Sequence, residues 1–234
     1  MVFAGLSDAG FAIRTLHGSH LVVDATGWFT GRPVSTSRGP YPQFRCGPGT
    51  TLIVSDSTGA AMRWYTPSLS RLTGTDFLTD LESCRRTIGI SCRGREGRTP
   101  TTTQVAVITA PAGVETLVVM TGCNDSAANF VRGIDVAIQE ASRRGIPGVA
   151  WLTMRTDTSY SIPGGSGSAV AVFAQGNRAL ADAARRYPQL DLMDWDRHSR
   201  GRNTWFYRDG IHLTPTGANA LAEFISAEPN RLYG

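Results

Sequence analysis

The sequence contains no lysine: all 23 of its basic residues are arginines. Arginine in place of every lysine is typical of GC-rich codon usage, and it carries little information about function. The arginines are scattered along the chain, apart from one cluster at Arg85, Arg86, Arg93, Arg95 and Arg98. Because no basic helix and no aromatic RNA-binding motif accompanies them, the net charge of +4 does not predict binding to nucleic acid.

Long hydrophobic runs are also missing. No apolar stretch approaches the roughly 20 residues that a helix needs to cross a bilayer. The N-terminus does not show the order of basic, apolar and small residues found in secretory signals, so we expect any export signal to lie outside this chain. With 234 residues, 41% of them hydrophobic, the chain can form one sizeable domain plus an appendage.

Cysteine is scarce, with residues only at positions 46, 84, 92 and 123. There is no CxxC pair and no histidine at ligand spacing, which argues against a zinc site. Cys84 and Cys92 bracket a short arginine-rich loop that has no apolar period to hold it. We therefore expect a disulfide between them in an oxidising compartment, extracellular or at the cell surface; two reduced thiols are the alternative.

The first 49 residues differ in character from the rest of the chain. Residues 19–29 form a β-like run that ends in a glycine turn and paired aromatics. This run resembles the closing strand of small β-domains repeated in bacterial cell-surface proteins, so we expect residues 1–31 to be the tail of an upstream domain. The alternative is an extra hairpin on the main domain. Residues 32–49 are rich in Gly, Pro and Ser and predict a linker, which leaves residues 50–234 as the main domain.

Within the main domain, apolar strands alternate with helical patterns. Strands are predicted at residues 51–54, 76–82, 115–120, 148–154 and 190–195. Helices are predicted at residues 60–65, 101–108, 129–144 and 168–186, and from position 215 onward. This alternation predicts a three-layer α/β/α domain with a five-stranded, mostly parallel, flavodoxin-like sheet. Ligands bind such sheets at the carboxyl ends of the strands.

Three polar motifs lie at predicted strand or loop ends that face this edge. Ser57 follows the first strand, and Asn124 follows the third. Asp209 and His212 precede the last helix, for which Thr214 is the predicted N-cap and Pro215 the first residue. Taken singly, Ser57 could be a helix cap, Asn124 a turn residue, and Asp209 with His212 an ordinary surface loop.

Together the motifs form a set that can perform acyl transfer. His212 can remove the proton of Ser57, and Asp209 can fix the imidazole tautomer. Asn124 can donate a side-chain N–H to an oxyanion. The rival base is His198, which we interpret as a surface or substrate-side residue because it lacks a following helix.

At these positions the chain resembles the SGNH (GDSL-type) hydrolases. The triplet 55–57 (SDS) is similar to the family's GDS block, 122–125 (GCND) to its GxND block, and 209–212 (DGIH) to its DxxH block. Order and spacing match over about residues 50–230. The resemblance implies Ser57 as nucleophile, His212 as general base and Asp209 as its partner. The residues expected to be structural beside the site are Asp56, Gly122 and Asp125.

The second block departs from the family. A glycine is expected just after the second strand, but residues 82–89 read ESCRRTIG. The resemblance implies an oxyanion hole made by the Ser57 amide, the Asn124 side chain and one amide from this stretch. That amide belongs to Cys84 or Arg85 by position, and to Gly89 by residue type. We favour Cys84 or Arg85, and a bridge from Cys84 to Cys92 would hold such an amide in place.

The predicted function is a serine esterase that hydrolyses carboxylic esters through an acyl-enzyme, with no metal and no cofactor. We expect short acyl groups, such as acetyl, on a carbohydrate or cell-envelope glycan. One alternative is an O-acyltransferase that uses the same triad. The other is a non-catalytic glycan- or protein-binding module whose triad has lapsed.

Overall fold

The structure is a computed structural model that describes residues 5–7, 10–12, 49–65, 67–158 and 169–233. The chain divides into two compact units, Met1–Pro42 and Gln43–Gly234. In the first unit, strands β1 (Gly5–Ser7) and β2 (Gly10–Ala12) pair antiparallel. The predicted β-like run at residues 19–29 lies outside the described residues. The division into 1–31, 32–49 and 50–234 therefore stays a prediction.

The second unit contains one five-stranded sheet. Its strands are β3 (Thr50–Ser55), β4 (Asp76–Leu81), β5 (Val114–Met120), β6 (Gly148–Leu152) and β7 (Leu190–Met193). They lie in the order β4-β3-β5-β6-β7, and every neighbouring pair is parallel. The predicted α/β fold is confirmed, and the described sheet is parallel throughout.

Six α-helices accompany the sheet in the described part of this unit. They are α1 (Ser57–Trp64), α2 (Thr103–Ile108), α3 (Ala127–Arg143), α4 (Ala169–Arg186), α5 (Trp195–His198) and α6 (Pro215–Tyr233). Helices α2, α3 and α4 pack in sequence with one another, and α1 packs on α6. None of the described helices is both long and apolar enough to span a membrane.

Alternation along the buried strands supplies a core on each face of the sheet. In β3, Leu52 and Val54 belong to a cluster with residues of α2, α3 and α4, whereas Ile53 belongs to a cluster with residues of α1 and α6. In β5, Leu117 and Val118 divide between the two clusters in the same way. Successive side chains of a strand point to opposite faces, so two helical layers enclose the sheet.

The predicted end of the last strand is two residues too long. Strand β7 stops at Met193 because the Asp194 side chain accepts a hydrogen bond from the Arg197 amide (3.1 Å) and starts helix α5. The predicted start of α6 is confirmed: Thr214 Oγ1 accepts from the Gly217 amide at 3.3 Å. Both ends follow the usual preference of short polar side chains for helix N-caps.

Strand order determines where the site forms. The chain passes from β3 to the edge strand β4 and then to β5 on the other side of β3, so the connections diverge between β3 and β5. A crevice opens at such a switch point, beyond the carboxyl ends of the strands. The SDS motif begins at Ser55, the last residue of β3, and the GCND motif begins two residues after β5 ends. The two motifs therefore meet at this crevice.

Candidate active site

Ser57 lies at the sharp turn between β3 and α1. It is the first residue of the helix, while the preceding Asp56 is the N-cap and accepts hydrogen bonds from the Thr58 amide (3.0 Å) and hydroxyl (2.7 Å). The second Asp56 oxygen accepts from the Cys123 amide at 3.3 Å, which links the turn to the loop after β5. Because Asp56 performs the capping, the Ser57 hydroxyl remains free to face the cleft.

Asp56 has no exposed surface. Burial raises the pKa of this carboxyl, although the hydrogen bonds from Thr58 and Cys123 oppose the shift. Through these contacts Asp56 holds the turn that carries Ser57.

His212 and Asp209 face Ser57 from the loop before α6. His212 Nε2 lies 3.1 Å from Ser57 Oγ, and His212 Nδ1 lies 2.7 Å from Asp209 Oδ2. The other Asp209 oxygen accepts from the amides of Ile211 and His212, both at 2.9 Å. Burial alone would raise the Asp209 pKa, but these hydrogen bonds outweigh it and lower that pKa. A carboxylate held ionised in this way can stabilise an imidazolium beside it.

Two residues that the sequence did not single out hold this loop. Arg155, almost fully buried, donates from Nη1 to the Gly210 carbonyl (2.8 Å) and from Nη2 to Asn203 Oδ1 (2.8 Å). Thr158 Oγ1 donates to the Asp209 carbonyl at 2.6 Å. Arg155 follows β6 in no recognisable motif, so only the fold brings it to the DGIH loop.

The loop after β5 carries the second predicted group, Asn124. Its Nδ2 donates one hydrogen bond to the Arg85 carbonyl at 3.2 Å, which leaves a second N–H for a ligand. Gly122 has φ +137°, and a Cβ there would come within 2.6 Å of the Phe130 ring. Only glycine allows the chain to turn this closely over α3.

Asp125 ties this loop to the second block. Its carboxylate accepts from the Thr87 amide (3.0 Å) and from the Thr87 hydroxyl (3.0 Å). Burial raises the Asp125 pKa to about 6, against the lowering effect of the Thr87 hydrogen bonds. Asp125 thus fastens the loop after β5 to the second block, and Gly122 lets the same loop turn beside Phe130.

In the second block, the structure separates the three candidate donors. Cys84 lines the cleft together with Ser57 and Asn124, whereas neither Arg85 nor Gly89 is among the lining residues. Arg85 is fully buried and donates to the Ser55 carbonyl (3.0 Å) beneath the sheet end. Of the three candidates, Cys84 is therefore the residue that lies at the cleft.

The loop from Ser83 to Arg98 is held by two further contacts. Cys84 and Cys92 form a disulfide-bonded pair with Cα atoms 5.3 Å apart, while Cys123 has no disulfide partner in the described part of the chain. Glu96, which the sequence did not single out, accepts from Ser83 Oγ (2.5 Å) and Trp64 Nε1 (3.0 Å). Burial raises the Glu96 pKa, but hydrogen bonds from Ser83 and Trp64 prevail and lower it to about 2.

The reacting groups open onto a cleft of about 470 Å³. Aromatic and arginine side chains dominate the walls beyond them: Trp64, Tyr65, Tyr207, Arg93 and Arg95. Arg95 lies over the Trp64 ring, 4.6 Å from its centroid. The hydroxyls of Tyr65 and Tyr207 are 2.8 Å apart. Such walls suit a hydroxyl-rich or anionic ligand.

His198 does not reach this cleft. Its ring packs against Phe224, with centroids 4.5 Å apart, and against Trp195 and Trp205. This placement agrees with a surface residue and leaves His212 as the histidine that contacts Ser57. The other two histidines, His17 and His20, lie outside the described residues.

Sequence relatives of known description match only a short segment. Over 49 residues (21% of this chain), identity is 45% to a Staphylococcus aureus (strain MSSA476) protein provisionally described as an O-acetyltransferase. Over 55 residues (24%), identity is 36% to the peptidoglycan O-acetyltransferase OatA of Listeria monocytogenes. The matches span 8% and 9% of the length of these relatives. No family model matches the chain.

Solved structures match most of the chain. The carbohydrate acetylesterase Est24 from Sinorhizobium meliloti aligns with a TM-score of 0.57 at 13% identity, covering 79% of this chain and 99% of that one. The aryl esterase of M. smegmatis aligns with a TM-score of 0.58 at 15% identity, with the same coverage.

A Slackia heliotrinireducens protein, provisionally described as an SGNH hydrolase, gives a TM-score of 0.55 at 14% identity, covering 77% of this chain and 98% of that one. At these identities the likeness concerns the fold alone. The second unit of this chain has the SGNH hydrolase fold.

Proposed function

We propose that this protein is a serine esterase that cleaves carboxylic esters through an acyl-enzyme. The observation that carries the proposal is the continuous chain of hydrogen bonds from Asp209 through His212 to Ser57, with distances of 2.7 and 3.1 Å, at the switch point of the sheet. This is the arrangement that nucleophilic catalysis by a serine needs: a nucleophile, a base and a group that orients the base.

The first half of the reaction forms the acyl-enzyme. Ser57 Oγ attacks the ester carbonyl carbon while His212 Nε2 takes the hydroxyl proton, and the carbonyl π electrons move onto the oxygen. Asp209 stabilises the resulting imidazolium. When the tetrahedral intermediate collapses, the C–O bond to the alcohol breaks and His212 returns its proton to the departing alcohol oxygen.

In the second half, water repeats these steps. His212 removes a proton from water, the hydroxide attacks the acyl carbon, and Ser57 leaves as the protonated hydroxyl. The oxyanion of both intermediates is stabilised by the Ser57 amide, the Cys84 amide and the Asn124 side chain. In serine hydrolases, one such donor is worth roughly 2.7–4 kcal/mol of transition-state stabilisation.

We further propose short acyl esters on a carbohydrate as the substrate. Est24, which shares this fold, is described as a carbohydrate acetylesterase, and the curated relatives are described as O-acetyltransferases. The cleft supports the same choice, because Trp64 and Tyr207 can stack on sugar rings while Arg93 and Arg95 can bind carboxylates or hydroxyls.

The O-acetyltransferase descriptions also support a second candidate, transfer of the acyl group to a sugar hydroxyl instead of water. Both reactions share the acyl-enzyme and differ only in the acceptor. A non-catalytic module is the weaker alternative, because Ser57, Asp209, His212 and Asn124 are all retained in one cleft.

An extracellular or cell-surface location is part of the proposal. The paired Cys84 and Cys92 are typical of proteins from oxidising compartments. The name of the Listeria relative, a peptidoglycan O-acetyltransferase, is compatible with such a location.

The test is turnover of p-nitrophenyl acetate by the wild type, by Ser57→Ala and by His212→Ala, with thermal melts as the folding control. We expect both variants to remain folded and to lose turnover to background. Full activity in either folded variant would disprove the triad. Release of p-nitrophenol and of acetate is measured in parallel with and without acetyl-free glycan oligomers.

Equal rates of the two releases indicate hydrolysis. The protein is an acyltransferase if, with the oligomer added, p-nitrophenol is released faster than acetate and the oligomer becomes acetylated. Labelling by a fluorophosphonate probe adds a readout that needs no acceptor: we expect covalent attachment at Ser57 in either case. Absence of both labelling and turnover would favour the non-catalytic module.

A further inference from the structure

Cys84 has an unusual backbone conformation. Its φ of +64° makes it the one non-glycine residue in the left-handed region within the described part of the chain. In this region the Cβ of an L-residue crowds the following carbonyl, whereas glycine adopts it freely. Left-handed non-glycine residues persist only where the surroundings enforce them, and they concentrate at functional sites.

The surroundings of Cys84 are fixed on both sides. The preceding Ser83 donates to Glu96 from its amide (3.3 Å) and from its hydroxyl (2.5 Å). The carbonyl of the following Arg85 accepts from Asn124 Nδ2 at 3.2 Å. Cys84 itself lines the cleft, and within the described residues its own amide has no hydrogen-bond partner.

The third restraint is covalent. Cys92 is disulfide-bonded to Cys84, and the Cys92 amide donates to the Cys84 carbonyl at 3.3 Å. Thus the side chain and the carbonyl of Cys84 are both held by Cys92, while its N–H is left for the cleft. Without the bridge, residue 84 would lose its covalent restraint. Relaxation toward negative φ would then turn that N–H away from its present direction.

We infer that the Cys84–Cys92 disulfide does here what a glycine would do by conformational freedom: it keeps residue 84 left-handed, so that its backbone N–H completes the oxyanion hole. Cys92 is then a positioning residue for the reaction. The inference rests on the proposed esterase function, and it makes the bridge part of the catalytic geometry as well as a stabilising crosslink.

The test compares two variants that both lack the bridge. C84S/C92S has a side chain at position 84 and should relax, whereas C84G/C92S can adopt the left-handed conformation without the bridge. Complete loss of one oxyanion donor costs about 100- to 1000-fold in kcat. In C84S/C92S residue 84 should still adopt the left-handed conformation part of the time, so we expect a smaller loss of about 10- to 100-fold in kcat. Its KM for p-nitrophenyl acetate should change little, and C84G/C92S should regain most of the lost kcat.

Reduction provides a second measurement in case a variant folds poorly. Dithiothreitol should lower the kcat of the folded wild type to nearly the level of C84S/C92S and leave that of C84G/C92S unchanged. Wild-type kcat in C84S/C92S would overturn the inference, because the bridge would then be irrelevant to catalysis. Equal losses in the two folded variants would also overturn it, because the backbone conformation would not be what the bridge supplies.

Failure of the proposed function gives a different result. If the wild type shows neither turnover nor fluorophosphonate labelling that depends on Ser57, the esterase itself is disproved, and the inference falls with it. Ser57-dependent turnover that is insensitive to the bridge overturns the inference alone.

Discussion

Asp209→Asn separates the two tasks of this carboxylate. In the wild type, Oδ1 accepts from the Ile211 and His212 amides, while Oδ2 faces His212 Nδ1 at 2.7 Å. An asparagine can keep its oxygen on the two amides, but then its NH₂ points at Nδ1 and can only donate. His212 must carry its proton on Nε2, and this nitrogen, 3.1 Å from Ser57 Oγ, can no longer accept the serine proton.

The size of the effect follows from this tautomer. In serine triads, an asparagine in this position lowers kcat by about 10⁴-fold. At about 1.36 kcal/mol per tenfold, that is roughly 5 kcal/mol of transition-state stabilisation. Folding should change by less than about 1.5 kcal/mol, because the amide hydrogen bonds to Oδ1 are retained. KM should stay near the wild-type value, since no contact with the ester is removed.

The assay is steady-state hydrolysis of p-nitrophenyl acetate beside a thermal melt, with Asp209→Ala as the matched variant. We expect Asp209→Ala to lose kcat as well. It should also melt at a lower temperature than Asp209→Asn, because alanine cannot accept the hydrogen bonds from the Ile211 and His212 amides. A folded Asp209→Asn with kcat within tenfold of the wild type would refute the reasoning. Another group would then orient His212.

Three further predictions concern the neighbours of the triad. Asn124→Ala should lower kcat by about 100- to 1000-fold with little change in KM, and a change in KM alone would contradict the oxyanion role. Burial raises the pKa of Asp125 from 3.8 to about 6, so the folded state binds the carboxyl proton more tightly than the unfolded state does. The resulting stabilisation is present below about pH 4 and is lost as the pH rises through 6. Urea unfolding should therefore show the stability of Asp125→Asn relative to the wild type rising by about 2 kcal/mol between pH 4 and pH 7, and a constant difference would contradict the raised pKa of this group. Arg155→Lys cannot keep both the Gly210 carbonyl and Asn203, so kcat should fall about 10- to 100-fold with KM unchanged; normal kcat would show that the DGIH loop holds itself.

The sequence was sufficient for the architecture because the three central strands, β3, β5 and β6, are buried on both faces. Runs such as Leu52 to Val54 and Leu117 to Val119 are apolar throughout, which separates them from the amphipathic helices around them. Boundaries were less certain where a polar side chain decides them. Asp194 ends β7 by capping α5, and a cap of this kind looks the same in sequence as a polar residue inside a strand.

The grouping of Ser57, Asp209, His212 and Asn124 in one cleft could be predicted for a related reason. In a parallel sheet, residues that follow β3 and β5 meet whatever the details of packing, so Ser57 and Asn124 were placed by topology alone. His212 was placed by the helix start at Thr214 and Pro215. Arg155 could not be found in this way, because its partner is a backbone carbonyl, which leaves no mark in the sequence.

The proposed third oxyanion donor shows where residue type misleads. A search for glycine in the second block selects Gly89, which does have a left-handed φ of +81° but does not line the cleft. Position relative to β4 selects Cys84 or Arg85. Of these two, only Cys84 lines the cleft, although its side chain should disfavour the left-handed conformation it adopts. A backbone amide is defined by where the chain places it, so the residue that supplies it need only be held there. By our inference, the disulfide to Cys92, eight residues away, keeps Cys84 in its left-handed conformation, so this position does not require glycine.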